Sequence, residues 1–215
     1  NVIKQKDAII NATSYTVNDN LISLDPSNGE EKWRIKLKNP TAKRGLLYLE
    51  QYKSIFASTG SGVIAIDETT GQINKSLGKE GYFGESKSLL SPIVYKEKVL
   101  VAFLNKVESF SLKEGKRNWS LNLNGARVWS GFSYDKKTNT VAIVTSNLVH
   151  LWGKTDINPD YTNSLLLIDS NSGEIKCKFQ DVRHDHWDFD MIANPIFTNV
   201  KVSSNVERVV YAFSK

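Results

Sequence analysis

Residues 165–177 read LLLIDSNSGEIKC: an apolar run, a short polar stretch and a second run of mixed character. Asp169, at the end of the first run, can accept hydrogen bonds from backbone N–H groups two residues further on. Gly173 supplies a turn position with positive φ, which glycine adopts without steric cost. The stretch therefore predicts a β-hairpin whose two strands are joined by an Asp-x-x-x-Gly turn.

A closely similar pattern occurs four times along the chain. The predicted hairpins lie near residues 21–33, 63–75, 107–119 and 165–177, and their turn glycines fall 42, 44 and 58 residues apart. Trp33 and Trp119 follow the glycine by four residues, on the second strand, where a large ring can pack between neighbouring sheets. Lys75 and Cys177 occupy that position in the other two hairpins. Self-similarity of this kind is typical of repeat architectures.

Further strand candidates lie between and after these hairpins. They are short apolar or alternating runs at residues 54–59, 93–95, 98–103, 140–145 and 208–213. A period near 42 residues with four strands per repeat is typical of propeller blades, whereas stacked sandwiches and β-solenoids fit it less well. We therefore predict an all-β chain in which residues 1–215 form a single β-propeller segment. Its blades, about four to five in number, are four-stranded antiparallel sheets.

The composition excludes several classes of protein. Hydrophobic residues make up 40% and charged residues 24% of the 215 residues, as is ordinary for a globular chain. The net charge of +5 comes from scattered lysines rather than a basic cluster, so we expect no nucleic-acid partner. The single cysteine, Cys177, excludes an internal disulfide and a cysteine-rich metal site. No apolar run reaches membrane-spanning length.

One loop concentrates residues that bind ligands. Residues 184–190 read HDHWDFD and follow a strand-like run that ends at Gln180. A buried strand would not tolerate unpaired carboxylates, so the first interpretation is a loop whose charges face a ligand or a metal. The alternative is a strand-end loop whose acids cap turns while Trp187 packs into the core.

Three stretches resemble a known family. Arg44-Gly45-Leu-Leu-Tyr48 is similar to an Arg-Gly-x-x-Tyr segment of the quinoprotein dehydrogenases, which use pyrroloquinoline quinone (PQQ). Residues 129–135, WSGFSYD, followed by Thr145-Ser146-Asn147, resemble a second segment, and residues 179–190 resemble the His-Asp-x-Trp-Asp signature. The hairpin repeat is also similar to that of PQQ propellers. The resemblance is greatest to the membrane-associated glucose and polyol dehydrogenase branch, whose propellers have eight blades, and implies that this chain is roughly half a ring.

The resemblance implies a role for five residues. Trp129 would be the floor on which the flat PQQ ring stacks, and Arg44 would pair with a PQQ carboxylate. Asn147, Asp188 and Asp190 would bind Ca²⁺ or another hard cation. Asp188 would also be the general base. The alternatives are a Trp129 that packs between blades, a surface arginine and an ordinary turn asparagine; His184 and Asp185 are expected to orient the loop.

The chain departs from the family pattern at three points. The family has an acidic metal ligand in a glycine-rich loop after the strand that corresponds to residues 98–103. Here only Glu108 could substitute, and its position suggests an ordinary strand residue. Ser146 replaces the glycine of the family's Thr-Gly-Asn motif. Because glycine allows a closer approach than serine, we expect a narrower cofactor pocket. The paired cysteines that precede Arg-Gly in alcohol-oxidising members are absent, which favours a sugar or polyol substrate.

These observations give two hypotheses for function. The first is a PQQ- and metal-dependent dehydrogenase that oxidises a sugar, polyol or alcohol and passes electrons to a quinone or a cytochrome. Such a protein would be periplasmic, tethered to the inner membrane by a segment outside this chain, and its ring would be closed by further blades or a second chain. The second is a non-catalytic PQQ-like propeller that binds proteins as a scaffold in the cell envelope. A WD40 adaptor is excluded because Trp-Asp occurs once rather than once per blade.

Overall fold

The computed structural model of the protein describes residues 8–12, 20–147, 160–183, 185 and 187–215. Its strands form consecutive sheets in which each strand pairs with the next along the chain. The first two sheets comprise β1 (Ala8–Ala12), β2 (Asn20–Leu24) and β3 (Glu31–Lys36), then β4 (Thr41–Leu49), β5 (Ser54–Thr59), β6 (Gly62–Asp67) and β7 (Tyr82–Phe83). One turn of 3-10 helix, Glu50–Tyr52, joins β4 to β5.

The later sheets repeat the same order. The third comprises β8 (Ile93–Tyr95), β9 (Lys98–Ala102), β10 (Lys106–Ser111) and β11 (Arg117–Asn122). The fourth comprises β12 (Ser133–Asp135), β13 (Thr140–Val144), β14 (Ser164–Asp169) and β15 (Ile175–Gln180), and a last hairpin comprises β16 (Ile196–Val202) and β17 (Asn205–Tyr211). Serial four-stranded antiparallel sheets are the blades of a β-propeller, so the predicted fold class is confirmed.

The chain divides into two compact units. Residues 1–101 and 110–116 form the first unit, and residues 102–109 and 117–215 form the second. Within the first unit, β2, β5 and β6 supply a core of buried aliphatic side chains, among them Leu21, Ile55 and Ile66. The central strands β5 and β13 are buried along their whole length, as expected for strands covered on both faces. That residues 1–215 form one domain stays a prediction.

The hairpin turns form for the local reason that the sequence indicates. Asp67 Oδ1 accepts hydrogen bonds from the backbone N–H groups of Thr69 (3.0 Å) and Thr70 (2.8 Å). Gly71 then adopts a φ of 70° and donates its N–H to the Asp67 carbonyl at 3.0 Å. Asp169 organises the turn at residues 169–173 in the same way. The turn chemistry therefore sets where each of these hairpins reverses.

The two repeat tryptophans connect successive hairpins. Trp33 donates its indole N–H to the Glu68 carbonyl at 2.7 Å, and a Cβ on Gly71 would lie 2.6 Å from the Trp33 ring. In the second unit Trp119 donates to the Ser170 carbonyl at 3.1 Å and packs against Gly173 in the same manner. The turn glycine is thus required by space as well as by its φ, because the ring of the preceding hairpin lies against it.

The second predicted hairpin, near residues 63–75, is only partly formed. β6 makes a single bridge from Ile66 to Ile73, and its paired strand is the two-residue β7 at residues 82–83. Between them the chain leaves the sheet: Gly78 and Gly81 take positive φ values, and Gly78 donates its N–H to the Leu112 carbonyl at 2.8 Å. Lys75 stands where the first and third hairpins carry Trp33 and Trp119.

Candidate functional site

The acidic loop, at residues 184–190, follows β15 in the second unit. Asp185 is buried, and its carboxylate accepts hydrogen bonds from the Asn163 side-chain amide at 3.0 Å and from the Trp187 backbone N–H at 2.9 Å. Asp185 therefore orients the loop, as the sequence suggests. Trp187 is 75% exposed, so the alternative in which it packs into the core is wrong. His184 lies outside the described residues.

The end of β13 holds Asn147 against this loop. The strand end is fixed on one side by a bridge between Val128 and Thr145 and on the other by a hydrogen bond from the Ser164 N–H to Thr145 Oγ1 at 3.0 Å. Ser146 donates its N–H to the Arg127 carbonyl at 2.9 Å. These bonds fix the chain up to Ser146, and Asn147 follows with its backbone and side-chain N–H groups directed to the acidic loop.

Asn147 contacts both aspartates that the sequence nominates as metal ligands. Its backbone N–H donates to Asp190 Oδ1 at 2.9 Å, and its side-chain Nδ2 donates to Asp188 Oδ1 at 3.2 Å. Asp188 has a φ of 62°, a conformation that costs a non-glycine residue energy and that turns its carboxylate toward Asn147. The structure thus brings these three residues together, although they are up to 43 positions apart in sequence.

The two carboxylates lie in different surroundings. Asp190 is 5% exposed, and burial together with the nearby Asp188 carboxylate raises its pKa, against the opposing effects of the Asn147 N–H and the Lys215 ammonium. The Asp188 side chain is 65% exposed and accepts a hydrogen bond from Lys215 Nζ at 3.3 Å. A buried acid that holds its proton more tightly therefore lies beside an accessible carboxylate.

Lys215 is a site residue that the sequence analysis misses. Its Nζ also donates to the Asp188 carbonyl at 2.8 Å. It reaches the loop because Met191 bridges Ser214 and the Ile192 N–H bonds the Phe213 carbonyl at 3.1 Å. No local pattern around Lys215 indicates a ligand, since its place depends on the β16–β17 hairpin returning to the loop.

The residues on either side of Trp129 are bonded to the end of β13 and to the segment that follows the loop. Its neighbour Val128 bridges Thr145, and its other neighbour Ser130 donates its hydroxyl to the Ala193 carbonyl at 3.0 Å. Trp129 is 44% exposed, whereas the blade-packing Trp119 is 7% exposed. An indole that is held by its backbone and presents much of its surface suits stacking on a flat ligand.

Arg44 belongs to the first unit. It lies in an irregularity of β4, where the register shifts between the pairs Thr41–Thr59 and Leu46–Ala57. Gly45 allows the close approach, because a Cβ there would lie 2.9 Å from the Ser58 Cβ. Arg44 forms a bridge with Leu90, and its side chain is exposed. The cofactor role of Arg44 stays a prediction.

Glu108 does not supply the missing acidic ligand. It is buried in β10, and its Oε1 accepts from Lys106 Nζ at 2.9 Å and Arg117 Nη1 at 3.1 Å. These contacts satisfy its charge as in a structural ion pair. Within the described ranges, no three His, Cys, Asp or Glu residues gather as a metal cluster. Asp188, Asp190 and Asn147 carry oxygens of the kind that a hard cation takes, and Asn147 turns its Nδ2 rather than its Oδ1 to Asp188.

No helix among the described residues is long and apolar enough to cross a membrane.

Comparison with known proteins gives consistent results. The family model for the PQQ glucose/ethanol/alcohol dehydrogenase β-propeller domain matches residues 104–215, just over half of the chain. Quinoprotein glucose dehydrogenase A of Acinetobacter calcoaceticus is 24% identical over 86% of this chain. Quinoprotein alcohol dehydrogenase PedH of Pseudomonas putida is 36% identical over 36% of it.

A solved structure shows the same fold. The europium-containing methanol dehydrogenase superposes with a TM-score of 0.74 at 17% identity, over 91% of this chain and 44% of its own. The chain spans 32% of the length of the glucose dehydrogenase and 13% of that of PedH.

Proposed function

Since the chain belongs to the PQQ glucose/ethanol/alcohol dehydrogenase β-propeller family, we propose that it forms part of the cofactor and metal site of a PQQ-dependent dehydrogenase. Its substrate is a sugar, polyol or alcohol, and a sugar or polyol is favoured because no cysteine precedes Arg44-Gly45. Electrons pass to a quinone or a cytochrome. The protein acts in the periplasm, with an inner-membrane tether outside this chain, and further blades or a second chain complete the ring.

The observation that carries the proposal is the contact of Asn147 with Asp188 and Asp190. Burial raises the pKa of Asp190, and repulsion from the neighbouring Asp188 carboxylate raises it further. A multivalent hard cation removes that repulsion and takes oxygen ligands of this kind. We assign Asn147, Asp188 and Asp190 to a cation that is Ca²⁺ or a trivalent ion of similar size, as in the europium-containing methanol dehydrogenase.

Asp188 is the general base in this proposal. When bound, PQQ supplies a two-electron acceptor for hydride and the cation beside it supplies Lewis acidity. The Asp188 carboxylate accepts the proton of the substrate hydroxyl as hydride leaves the carbinol carbon. Its 65% exposure gives a substrate access, and the Lys215 ammonium 3.3 Å away balances its charge. Asp190 is buried and serves the cation rather than the substrate.

Trp129 and Arg44 bind the cofactor. The exposed face of Trp129 stacks with the flat quinone, which is how an indole contributes area at low entropic cost. Arg44 pairs with a PQQ carboxylate through its planar guanidinium group. Both roles are supported by exposure of the side chain and by the family to which the chain belongs.

The test is activity of the complete gene product reconstituted with PQQ and Ca²⁺ and given sugars, polyols and alcohols with an artificial electron acceptor. We expect Asp188→Asn to lower kcat by at least about a hundredfold, the range typical of a lost general base. Asp181→Asn is the matched control, because Asp181 is exposed at the start of the same loop. A folded, PQQ-loaded wild type that oxidises none of these substrates would refute the enzyme and favour the scaffold.

A further inference from the structure

The segment that carries Trp129 runs alongside the segment that follows Asp190, and side-chain hydrogen bonds join the two. Ser130 Oγ donates to the Ala193 carbonyl at 3.0 Å, and Ser133 Oγ donates to the Pro195 carbonyl. Between these two bonds the Gly131 backbone N–H donates to Asn194 Oδ1 at 2.5 Å. Asn194 is therefore the central contact between the segment that carries Trp129 and the segment that follows the acidic loop.

The space around Gly131 is fitted to the Asn194 side chain. A Cβ at position 131 would lie 2.7 Å from Asn194 Nδ2 and 2.9 Å from Oδ1. Gly131 is not among the glycines with positive φ, so its backbone conformation does not demand glycine. Glycine is required at position 131 because the Asn194 amide approaches it so closely. A side-chain amide packed against a backbone N–H and accepting its hydrogen bond restricts rotation of that peptide.

The segment that carries Asn194 is itself anchored from its other side. Met191 bridges Ser214, and the Ile192 N–H bonds the Phe213 carbonyl at 3.1 Å. Asn194 thus transfers the position of an anchored segment to the backbone two residues beyond Trp129.

We propose that Asn194 is a positioning residue that fixes the Trp129 indole relative to Asp188 and Asp190, so that cofactor stacking and the base keep one geometry. The inference rests on the proposed function for its consequence, but the contact itself can be tested without PQQ. Asn194 acts through its Oδ1 acceptor, which predicts that an aspartate can replace it and an alanine cannot.

Hydrogen exchange of the Gly131 amide tests the contact in the apo protein. We expect Asn194→Ala to speed exchange about tenfold, which corresponds to the loss of one hydrogen bond of about 1.4 kcal/mol. Asn194→Asp keeps an acceptor oxygen and should leave exchange within about twofold of wild type. Unchanged exchange in Asn194→Ala would overturn the proposal.

A double-variant experiment distinguishes loss of the contact between residues 131 and 194 from a general loss of stability. Gly131→Ala should lower Tm because the new methyl group meets the Asn194 amide. Combining it with Asn194→Ala removes the atoms that collide, so the double variant should be more stable than the sum of the two single effects predicts. Additive losses would show that the two residues are not in contact and would overturn the proposal.

PQQ binding tests the consequence. We expect Asn194→Ala to weaken PQQ binding about fivefold, and Asn194→Asp to restore it. Equal PQQ affinity in wild type and Asn194→Ala would overturn the role of Asn194 alone. A wild type that binds no PQQ would overturn the proposed function, and the stacking role with it, while the exchange result would still stand as a test of the contact.

Discussion

Two buried aspartates of the second unit have similar exposure and opposite surroundings. Asp135 is 3% exposed and Asp190 is 5% exposed. Arg208 donates to Asp135 from Nη2 at 2.7 Å and from Nε at 3.3 Å, and these bonds hold its pKa well below the usual range of a carboxyl. Asp190 instead has a second carboxylate beside it, and burial and that neighbour raise its pKa.

The difference is the one expected between a structural charge and a charge that belongs to the cation site we propose. Burying a carboxylate is costly unless a cation and hydrogen bonds compensate it, and Asp135 has both. Arg208 fastens β17 to β12 through this pair. The Asp190 carboxyl has a raised pKa and a second carboxylate beside it, and perturbed pKa values of this kind are more frequent at ligand-binding sites. Asp190 thus differs from Asp135 in the direction of its pKa shift, because the Asn147 N–H and the Lys215 ammonium only partly offset its burial.

The largest expected effect on stability comes from removing the Arg208 partner of Asp135. Arg208→Ala leaves Asp135 buried without its cation, and we expect the free energy of unfolding to fall by about 3 kcal/mol. Asp190→Asn removes a carboxylate whose ionised form is disfavoured, so stability in the absence of metal should change by less than about 1 kcal/mol. Urea unfolding of both variants at pH 7 measures the contrast. A larger loss in Asp190→Asn than in Arg208→Ala would reverse the assignment.

The next largest effect is on the pH dependence of stability, which has opposite signs for Asp135 and Asp190. Because the folded pKa of Asp135 is lowered, its contribution is present above the unfolded pKa of about 3.9 and is lost as the pH falls. Because the folded pKa of Asp190 is raised, its contribution is present below about pH 3.9 and is lost as the pH rises through the folded pKa.

Unfolding free energies between pH 3 and pH 7 for Asp135→Asn and Asp190→Asn check these signs. The stability advantage of wild type over Asp135→Asn should grow as the pH rises. The stability of Asp190→Asn relative to wild type should also grow as the pH rises. Parallel curves for wild type and Asp190→Asn would show that Asp190 has the same pKa in the folded and unfolded states.

The smallest expected effect is that of Lys215 on the pKa of the Asp190 carboxyl. Its ammonium lowers the pKa of Asp190 against the larger effect of burial. Lys215→Met removes the charge and keeps the length of the side chain, so the pKa of Asp190 should rise further. Carboxyl ¹³C NMR titration measures it, with Lys178→Met as a control because Lys178 lies outside this loop and bonds the Asp160 carbonyl. A pKa that falls in Lys215→Met would contradict the described geometry.

The sheets could be predicted from sequence because their turns are local. Asp67 with Gly71, and Asp169 with Gly173, fix each reversal within five residues, so the repeat predicts the hairpins directly. The segment after Gly71 could not be predicted, because its course depends on the Leu112 carbonyl that bonds Gly78. Local patterns indicate a strand there, and a contact from another sheet decides otherwise.

The site could be predicted in part for the same physical reason. Asn147, Asp188 and Asp190 occur in stretches that resemble the family, and the structure brings them together. The pair of Asp135 with Arg208 spans 73 positions, and Lys215 reaches Asp188 only after the last hairpin has folded back. Contacts of this range leave no periodic signal in a single sequence.

The most direct test of the cofactor site is a PQQ titration followed by tryptophan fluorescence, with and without Ca²⁺, on wild type and Asn147→Ala of the complete gene product. Asn122→Ala is the control, since Asn122 is an exposed asparagine far along the chain from the loop, and its Oδ1 accepts a hydrogen bond from the Asn124 N–H at 2.9 Å. We predict saturable quenching that requires Ca²⁺ and that Asn147→Ala weakens about tenfold. Quenching that is absent in wild type, or that neither Ca²⁺ nor Asn147→Ala alters, would contradict the assignment of Asn147, Asp188 and Asp190 to a PQQ-linked cation.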